Sequence, residues 1–227
     1  MHNDKHDNRV FMRLTKSQRI QHAILFTSTG LLILTGFMLQ GERWAIELFG
    51  SAGDIIFWWR GVIHRAAGVV VTSVCLYHIY YVMFKSEGRS WIGDMRPKLS
   101  DIKDAWGNVS YMLRIGAVRP KMDRFTYLEK LEYFSVWFGM SIVIPTGFLM
   151  WTEYLWPKFY LDVADAFHLG EATLAALAII VGHIFAVHYN PHVYPMNRAF
   201  LDGTMDAHLV RDEHPLWYER EVGGTDS

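Results

Sequence analysis

The chain has 227 residues, a formal net charge of −1 and a single cysteine. A net charge so close to zero gives the chain no overall positive field that would point to nucleic acid, and we expect no nucleic-acid partner. One cysteine excludes an intrachain disulfide, and the absence of a Cys-x-x-Cys-His motif excludes a covalently attached c-type haem.

Four apolar runs of about 20 residues, the length that a transmembrane helix needs, follow one another along the chain. Segments I to IV comprise residues 22–41, 62–84, 131–151 and 168–189. Segment I is followed by no small-residue cleavage pattern, so we expect it to remain in the membrane. The sequence predicts an all-α fold, a transmembrane four-helix bundle that forms one membrane domain over residues 1–227. No internal repeat is evident.

The distribution of lysine and arginine predicts the orientation of this bundle. Five basic residues precede segment I, ten lie in the loop 85–130, and three lie in the tail 190–227. The two other connections carry only Arg43, Arg60 and Lys158. Because basic residues concentrate on the cytoplasmic side, we expect a multi-pass inner-membrane protein with both termini and the long loop in the cytoplasm.

Within the long loop, residues 100–113 have the pattern of an amphipathic helix. Its apolar residues share one face: Ile102, Trp106, Val109 and Leu113. Its polar residues lie opposite: Asp101, Asp104 and Asn108. We expect this helix to lie on the membrane surface as a structural element, with docking of a partner as the alternative.

Four histidines in the apolar runs form two pairs, His64 with His78 and His168 with His183. The spacings are 14 and 15 residues, so each pair projects from roughly one helix face, about 21–22 Å apart along the axis. Ionisable residues inside a bilayer indicate function, and neutral imidazole is a common axial ligand of haem iron. The pattern predicts two bis-histidine b-type haems, an outer one on His64 and His168 and an inner one on His78 and His183.

Two further histidines leave the inner site open. His22 begins segment I at a depth that suits His183, and His188 is close to His22 in depth. Three arrangements follow: His22 replaces His78 as an inner ligand, His22 and His188 bind a third haem, or these two line a quinone site. The other histidines of the C-terminal tail are expected to be solvated: His192, His208 and His214.

Polar residues near these histidines are candidates for cofactor contacts. Arg65 follows His64 and Arg60 precedes it by about one turn, so either guanidinium could pair with a haem propionate. Contact with lipid headgroups is the alternative for both. Tyr127 and Glu132 flank the start of segment III, where a carboxylate could relay protons from quinol. Solvation of the helix end is the alternative there.

The order of these features resembles the four-helix di-haem cytochrome b subunits of membrane-bound formate dehydrogenases and nickel–iron hydrogenases. The matching stretches are RIQH at 19–22, IHRAAG at 63–68, EKLEYFSVWFGMSIVIPTGFLMW at 129–151, HLGEATLAALAIIVGH at 168–183 and EHPLWYERE at 213–221. The resemblance implies the same fold, haem b, and haem ligands at four positions: His22, His64, His168 and His183.

Some stretches are more similar to one branch of cytochrome b/b6-like proteins, which is associated with periplasmic multihaem c-type cytochromes. These stretches are SYMLRIG at 110–116, FTYLEKLEY at 125–133 and HYNPHVYPMN at 188–197. The chain departs from the family by spacing its last pair by 15 rather than 14 residues and by carrying His78. The paired spacings instead resemble cytochrome b of quinol:cytochrome c reductases, which leaves the second inner ligand and a third haem open.

The sequence therefore predicts a membrane b-type cytochrome subunit, embedded in lipid, with two haems or three. It would transfer electrons between a quinone pool, menaquinone or ubiquinone, and a periplasmic multihaem c-type cytochrome or iron–sulfur subunit. One alternative is a non-haem membrane anchor for a soluble oxidoreductase, which would show no haem absorption. Another is a transporter, although the chain lacks the broken, repeated helices that transporters use.

Overall fold

The computed structural model describes residues 9–115 and 118–223. Within these residues, four helices are long and apolar enough to cross a membrane. The predicted all-α class with four transmembrane helices is therefore confirmed. In the described part of the chain, the regular secondary structure that is not helical is one pair of short strands.

The α-helices follow this order in the chain: α1 (Lys16–Met38), α2 (Glu42–Phe49), α3 (Ser51–Phe84), α4 (Ser86–Met95), α5 (Leu99–Met112), α6 (Tyr127–Trp151), α7 (Lys158–Leu177), α8 (Ala207–Glu213) and α9 (Pro215–Gly223). The strands are β1 (Val10–Met12) and β2 (Thr204–Asp206). Short 3₁₀ helices cover Leu39–Gly41, Glu153–Leu155 and Arg198–Phe200. Beyond α7 the chain continues as π-helix over Ala178–His183 and Phe185–Tyr189.

The long helices extend beyond the apolar runs that predicted them. Helix α3 begins at Ser51 rather than near residue 62, and α7 begins at Lys158 rather than near residue 168. Only the part of a helix inside the hydrocarbon core has to be apolar, whereas its backbone hydrogen bonds can continue into the interface. Hydropathy therefore locates the membrane-spanning part and misses the helical extensions.

The inward face of α1 is polar. Its buried side chains are Gln18, Gln21, Ser28 and Thr35, whereas apolar residues such as Phe26 are exposed. Gln21, Ser28 and Thr35 are spaced by seven residues, so they lie along one helix face. The Ser28 hydroxyl donates to the carbonyl of Ile24, at 2.7 Å, so it is satisfied within its own helix. Polar and small residues inside with apolar residues outside are typical of a helix surrounded by lipid.

The structure divides into two compact units. The first, which we call the helical unit, consists of Ser17–Tyr81 and Phe138–Ile180. The second, the tail unit, consists of Val82–Trp137 together with the N-terminal residues through Lys16 and the C-terminal residues from Val181. The helical unit contains most of the apolar helix length.

The tail unit has its own small hydrophobic core. Strand β1 pairs with β2 in antiparallel register, with Phe11 opposite Met205. The buried core residues are Ala199, Met205, Val210 and Trp217. The ring of Phe11 packs edge-on against Trp217, with centroids 5.6 Å apart. Strand β1 and the segment from Ala199 to Trp217 are thus held together by packing that the local sequence pattern did not predict.

A buried ion pair joins this core to the start of α6. The Arg13 guanidinium donates to the carbonyl of Arg124 and to the Glu129 carboxylate, the latter at 2.5 Å. Burial lowers the pKa of Arg13, although the adjacent Glu129 opposes that shift. Glu129 also accepts from the backbone N–H of Thr126 at 2.8 Å, and the Thr126 hydroxyl accepts from the Glu129 N–H. This reciprocal capping box explains why α6 begins at Tyr127.

The expectation that the tail histidines are solvated is wrong for one of them. His192 and His208 are exposed, but His214 is only 4% exposed. Its Nδ1–H donates to the carbonyl of Asp123 at 2.8 Å, and its ring packs against Trp217. A polar stretch predicted solvent exposure, whereas the fold uses this histidine as a buried hydrogen-bond donor.

The amphipathic helix predicted in the long loop is confirmed as α5. Its polar face packs against the start of α6, where Lys130 donates to Asp101 at 2.7 Å and Asn108 donates to the Tyr127 hydroxyl at 3.0 Å. Its apolar face points away from the unit, with Ile102 and Trp106 exposed by 68% and 74%. Whether lipid or a partner covers that face stays a prediction.

Candidate functional site

His64 on α3 and His168 on α7 come together in the helical unit. Their ring centroids lie 6.4 Å apart, with the ring planes inclined by 63°. Both residues are half-buried. Two imidazoles that bind one iron atom, each through a nitrogen at about 2.0 Å, keep their centroids about 6 Å apart. The observed separation fits two histidines that would hold one haem iron between them.

His64 is held by a threonine on another helix. The Oγ1 atom of Thr35, on α1, lies 2.9 Å from Nδ1 of His64. The same hydroxyl lies 2.5 Å from the backbone carbonyl of Leu31, one turn earlier in α1. The contact with His64 uses Nδ1, so it leaves the other ring nitrogen, Nε2, as the atom that would bind a metal.

His168 is held in a similar way, and it has the backbone of Val143 as a further hydrogen-bond partner. The Oγ1 atom of Thr146, on α6, lies 3.0 Å from Nδ1 of His168. This hydroxyl lies 2.6 Å from the carbonyl of Ile142, one turn earlier in α6. Two different pairs of helices therefore present an imidazole with the same anchored nitrogen.

A glycine follows each of these threonines and faces the same histidine. A Cβ atom on Gly36 would lie 3.6 Å from Cε1 of His64, and one on Gly147 would lie 3.2 Å from Cε1 of His168. The tripeptide Thr-Gly-Phe thus occurs twice, at residues 35–37 and 146–148. The expectation of no internal repeat overlooked it, because three residues on helices far apart in the sequence carry little weight without the histidines that they contact.

Of the two arginines near His64, Arg60 lies closer to the site. It donates to the carbonyl of Thr35 at 3.0 Å, and its Nε atom is buried with no hydrogen-bond partner in the described part of the chain. A buried donor without an acceptor is costly, so a carboxylate such as a haem propionate would fit there. The Arg65 guanidinium lies over the ring of Trp151, 5.9 Å from its centroid, and Arg65 is exposed.

His78 and His22 also lie in the helical unit, and both are half-buried. Nδ1 of His78 lies 2.7 Å from the side-chain carbonyl oxygen of Gln21, on α1. The amide nitrogen of Gln21 lies 3.1 Å from the Ser17 hydroxyl, which leaves the amide oxygen to accept from the imidazole. The anchoring of His78 therefore resembles that of His64 and His168.

His183 and Glu132 lie together in the tail unit. Nδ1 of His183 lies 3.0 Å from Oε2 of Glu132, and both side chains are about 40% exposed. Tyr127, five residues before Glu132 on α6, accepts a hydrogen bond from Asn108. His188 packs edge-on against Phe200, with centroids 6.3 Å apart.

A π-helical turn accounts for the unusual spacing before His183. Residues Ala178–His183 are π-helical, and a single π turn inserts one extra residue into an α-helix. A spacing of 15 residues in a regular α-helix would overshoot four full turns by about 60°. If the π turn takes up one of these residues, the rotation is that of 14 residues, about 40° short of four turns. The spacing between His64 and His78 gives the same rotation. The extra residue therefore does not move His183 to another helix face.

The family model described as prokaryotic cytochrome b561 matches residues 13–198 of this chain. The chain belongs to the prokaryotic cytochrome b561 family. A similar relative is the formate dehydrogenase cytochrome b556 subunit of Haemophilus influenzae, which is 22% identical over 221 residues. That alignment covers 95% of this chain and 85% of the relative. The predicted resemblance to cytochrome b subunits is confirmed.

Family membership establishes the broad chemistry of this cytochrome. It is a multi-pass membrane protein and an electron-transfer subunit of the cytochrome b type, and it binds haem b. The anchored imidazoles and the unpartnered Arg60 nitrogen fit that cofactor. The number of haems and their individual ligands remain predictions.

The structure adds polar residues that the sequence reasoning missed. Thr35, Thr146 and Gln21 each contact the Nδ1 atom of a histidine on another helix. The carboxylate of Glu171, on α7, lies close to Gly139 on α6. A Cβ atom on Gly139 would be 2.6 Å from Oε1 of Glu171. The signal available in the sequence was a threonine or glutamine within an otherwise apolar run, where a polar side chain needs a partner.

Proposed function

We propose that this cytochrome carries electrons across the membrane between a quinone pool and a redox partner, using haems held by histidines near both membrane faces. The observation that carries the proposal is the pair formed by His64 and His168, with centroids 6.4 Å apart and both Nδ1 atoms anchored. Haem b, when bound, supplies a one-electron carrier. The chain's own residues bind it, orient it and keep it away from water.

At the outer site, each residue has a distinct task. His64 and His168 provide the two iron ligands, while Thr35 and Thr146 hold their rings. Arg60 offers a buried N–H donor to a propionate. Arg65 is the second candidate for that role, although its guanidinium lies over Trp151. The exposed apolar residues of the long helices contact lipid and exclude water from the site.

At the inner site, His183 is a ligand and Glu132 holds its Nδ1 atom. The sequence alone leaves two candidates for the second ligand position: the family resemblance implies His22, whereas the residue spacing predicts His78, whose Nδ1 contacts Gln21 within the helical unit. His22 with His188 as a third pair, or as the lining of a quinone site, remains the further alternative. Glu132 and Tyr127 are our candidates for proton exchange with quinol.

The basic residues of both tails and of the long loop support an orientation with these segments in the cytoplasm, within the inner membrane. The outer pair would then face a periplasmic partner, a multihaem c-type cytochrome or an iron–sulfur subunit. The relative from Haemophilus influenzae is named as a formate dehydrogenase subunit, which supports assembly with a larger oxidoreductase. A dehydrogenase partner would reduce quinone, whereas a terminal reductase partner would draw electrons from quinol.

A haem count on the purified full chain, expressed with sufficient haem, tests this proposal. We expect two haems per chain by pyridine haemochrome, or three if His22 and His188 form a third pair. His64→Ala and His168→Ala should each lose the same single haem, whereas exposed His208→Ala should lose none. His78→Ala with the count retained would favour His22 as the inner ligand. A colourless wild-type protein would instead support the non-haem membrane anchor.

Quinone reactivity needs a separate measurement. We expect menaquinol or ubiquinol to reduce the haems of the protein in liposomes, and the faster of the two identifies the quinone type. If neither quinol reduces the haems while dithionite does, the quinone part of the proposal is wrong and the haem part stands.

A further inference from the structure

Two threonines make matching sets of contacts on different helices, Thr35 with His64 and Thr146 with His168. We propose that Thr35 and Thr146 are positioning residues that keep the proton of each imidazole on Nδ1, so that Nε2 carries the free lone pair for iron. This inference rests on the proposed function, because it concerns the two outer ligands. It adds residues on α1 and α6 to a site whose ligands lie on α3 and α7.

The argument begins with the number of donors on a threonine. A hydroxyl has one hydrogen to donate and two lone pairs to accept with. The Thr35 hydroxyl lies 2.5 Å from the carbonyl of Leu31, and the Thr146 hydroxyl lies 2.6 Å from the carbonyl of Ile142. A backbone carbonyl can only accept, so each hydroxyl donates its one hydrogen within its own helix.

With its hydrogen committed, each hydroxyl can only accept from the imidazole that it contacts. The contacts to Nδ1 are 2.9 Å for His64 and 3.0 Å for His168, both normal hydrogen-bond lengths. A neutral imidazole carries one ring proton, and here it must be on Nδ1. The other nitrogen, Nε2, is then unprotonated, which is the form that binds a metal.

The backbone of Thr35 is connected to a second residue of the site. The carbonyl of Thr35 accepts from Arg60, so the same residue is connected to His64 and to the candidate propionate donor. The glycine after each threonine leaves room for the ring edge. The arrangement occurs twice in the helical unit with the same tripeptide, which argues against a chance contact.

The test compares Thr35→Val and Thr146→Val with the matched control Thr72→Val, all in the haem-loaded full chain. Valine keeps the shape of threonine and removes the hydroxyl. Thr72 is half-buried on α3 and also donates to a carbonyl one turn earlier, at 2.7 Å, but it has no histidine contact among the described residues. The readouts are the electron paramagnetic resonance spectrum of the ferric haems and their separate midpoint potentials.

We expect both valine variants to bind the wild-type number of haems. One ferric signal should change, and the midpoint potential of the same haem should rise, because losing an acceptor on Nδ1 makes the ligand less basic and stabilises ferric iron less. We also expect the variants to retain that haem about tenfold less tightly. The second haem is an internal control and should be unchanged, and Thr35→Ser and Thr146→Ser should restore the wild-type values.

Several results would overturn the inference. Wild-type spectra and potentials in both valine variants would show that the hydroxyls do not act on the ligands. An equal change in Thr72→Val would show a general effect of removing a membrane hydroxyl. These outcomes differ from failure of the proposed function. In that case either the wild-type protein has no haem, or the His64→Ala variant keeps the full haem count.

The two glycines provide a second, independent test. A methyl group on Gly147 would lie 3.2 Å from His168, closer than most such contacts, whereas one on Gly36 would lie at an ordinary 3.6 Å from His64. Gly147→Ala should therefore turn the His168 ring and change the ferric signal, while Gly36→Ala should leave it close to wild type. The opposite order would contradict the geometry on which the inference depends.

Discussion

The carboxylate of Glu132 lies 3.0 Å from Nδ1 of His183. The corresponding atom of His64 and of His168 contacts a threonine hydroxyl, not a carboxylate. Both partners accept from the imidazole, but they differ in charge. A carboxylate draws the Nδ1 proton more strongly than a hydroxyl and makes the ring a more basic ligand. The proposed function thus predicts an asymmetry between a haem held by His183 and one held by His64 and His168.

This asymmetry predicts that the haem bound by His183 has the lower midpoint potential. In Glu132→Gln, that potential should rise by a few tens of millivolts, because a less basic histidine stabilises ferric iron less. For scale, a tenfold change in the preference for ferric over ferrous iron corresponds to about 59 mV. A redox titration followed by visible spectroscopy measures both haems. The comparison variant is Glu171→Gln, which removes a carboxylate in the helical unit and should leave the potential of the haem bound by His183 unchanged. An unchanged titration in Glu132→Gln would show that this carboxylate does not tune the haem.

The π-helical turn at Ala178–His183 predicts an unusual tolerance to deletion. Removing Ile180 shortens the spacing between His168 and His183 to that of a regular α-helix on the same face, so we expect the wild-type number of haems. Inserting one alanine after Leu174 lengthens the spacing and should rotate His183 away, with the loss of one haem. Pyridine haemochrome counts of the two variants provide the comparison. Loss of a haem in the deletion but not in the insertion would contradict the interpretation of the π turn.

Burial of His214 makes the stability of the tail unit dependent on pH. Desolvation lowers the pKa of His214, and the nearby Arg13 lowers it further, although Glu129 and the Asp123 carbonyl oppose the shift. The unfolded chain therefore binds a proton at a higher pH than the folded protein. The free energy of unfolding should fall as the pH drops below about 6.5, the ordinary pKa of histidine, and keep falling until the lowered folded pKa is reached.

Hydrogen exchange of the tail unit between about pH 5 and 8 measures this dependence, after correction for the intrinsic exchange rate. His214→Gln should flatten the slope because glutamine does not titrate. The exposed His208→Gln is the matched control and should keep the wild-type slope. A steep slope that survives in His214→Gln would assign the effect to another group.

The exposed apolar face of α5 predicts contact with lipid rather than water. Cys75 is the single cysteine of the chain, so a Cys75→Ser background allows one spin label at a time. A spin label at Ile102→Cys should collide with oxygen dissolved in the bilayer. A label at Lys103→Cys, the neighbouring exposed residue, should collide with a water-soluble relaxant instead. Power saturation in lipid nanodiscs measures both. Equal access of the water-soluble relaxant to the two labels would favour a role in partner docking.

Several properties of this cytochrome could be predicted from the sequence. Apolar runs of sufficient length define the four membrane helices, because lipid leaves the backbone no hydrogen-bonding partner outside a helix. Residue spacing along one helix predicts that His64 and His78 share a face, because helical rotation is a local property. The amphipathic pattern of α5 is local for the same reason. The orientation of the termini still rests on the positions of lysine and arginine alone.

Other properties depended on residues that are distant in the chain. The contacts of Thr35 with His64 and of Thr146 with His168 require two helices to meet at a particular depth and rotation, and no short stretch of sequence encodes that. The burial of His214 likewise depends on its packing with Asp123, which is 91 residues earlier in the chain. Local patterns thus determined which segments are helical and which histidines are available. Tertiary packing decided which polar groups hold those histidines, because hydrogen bonds between helices depend on their mutual geometry.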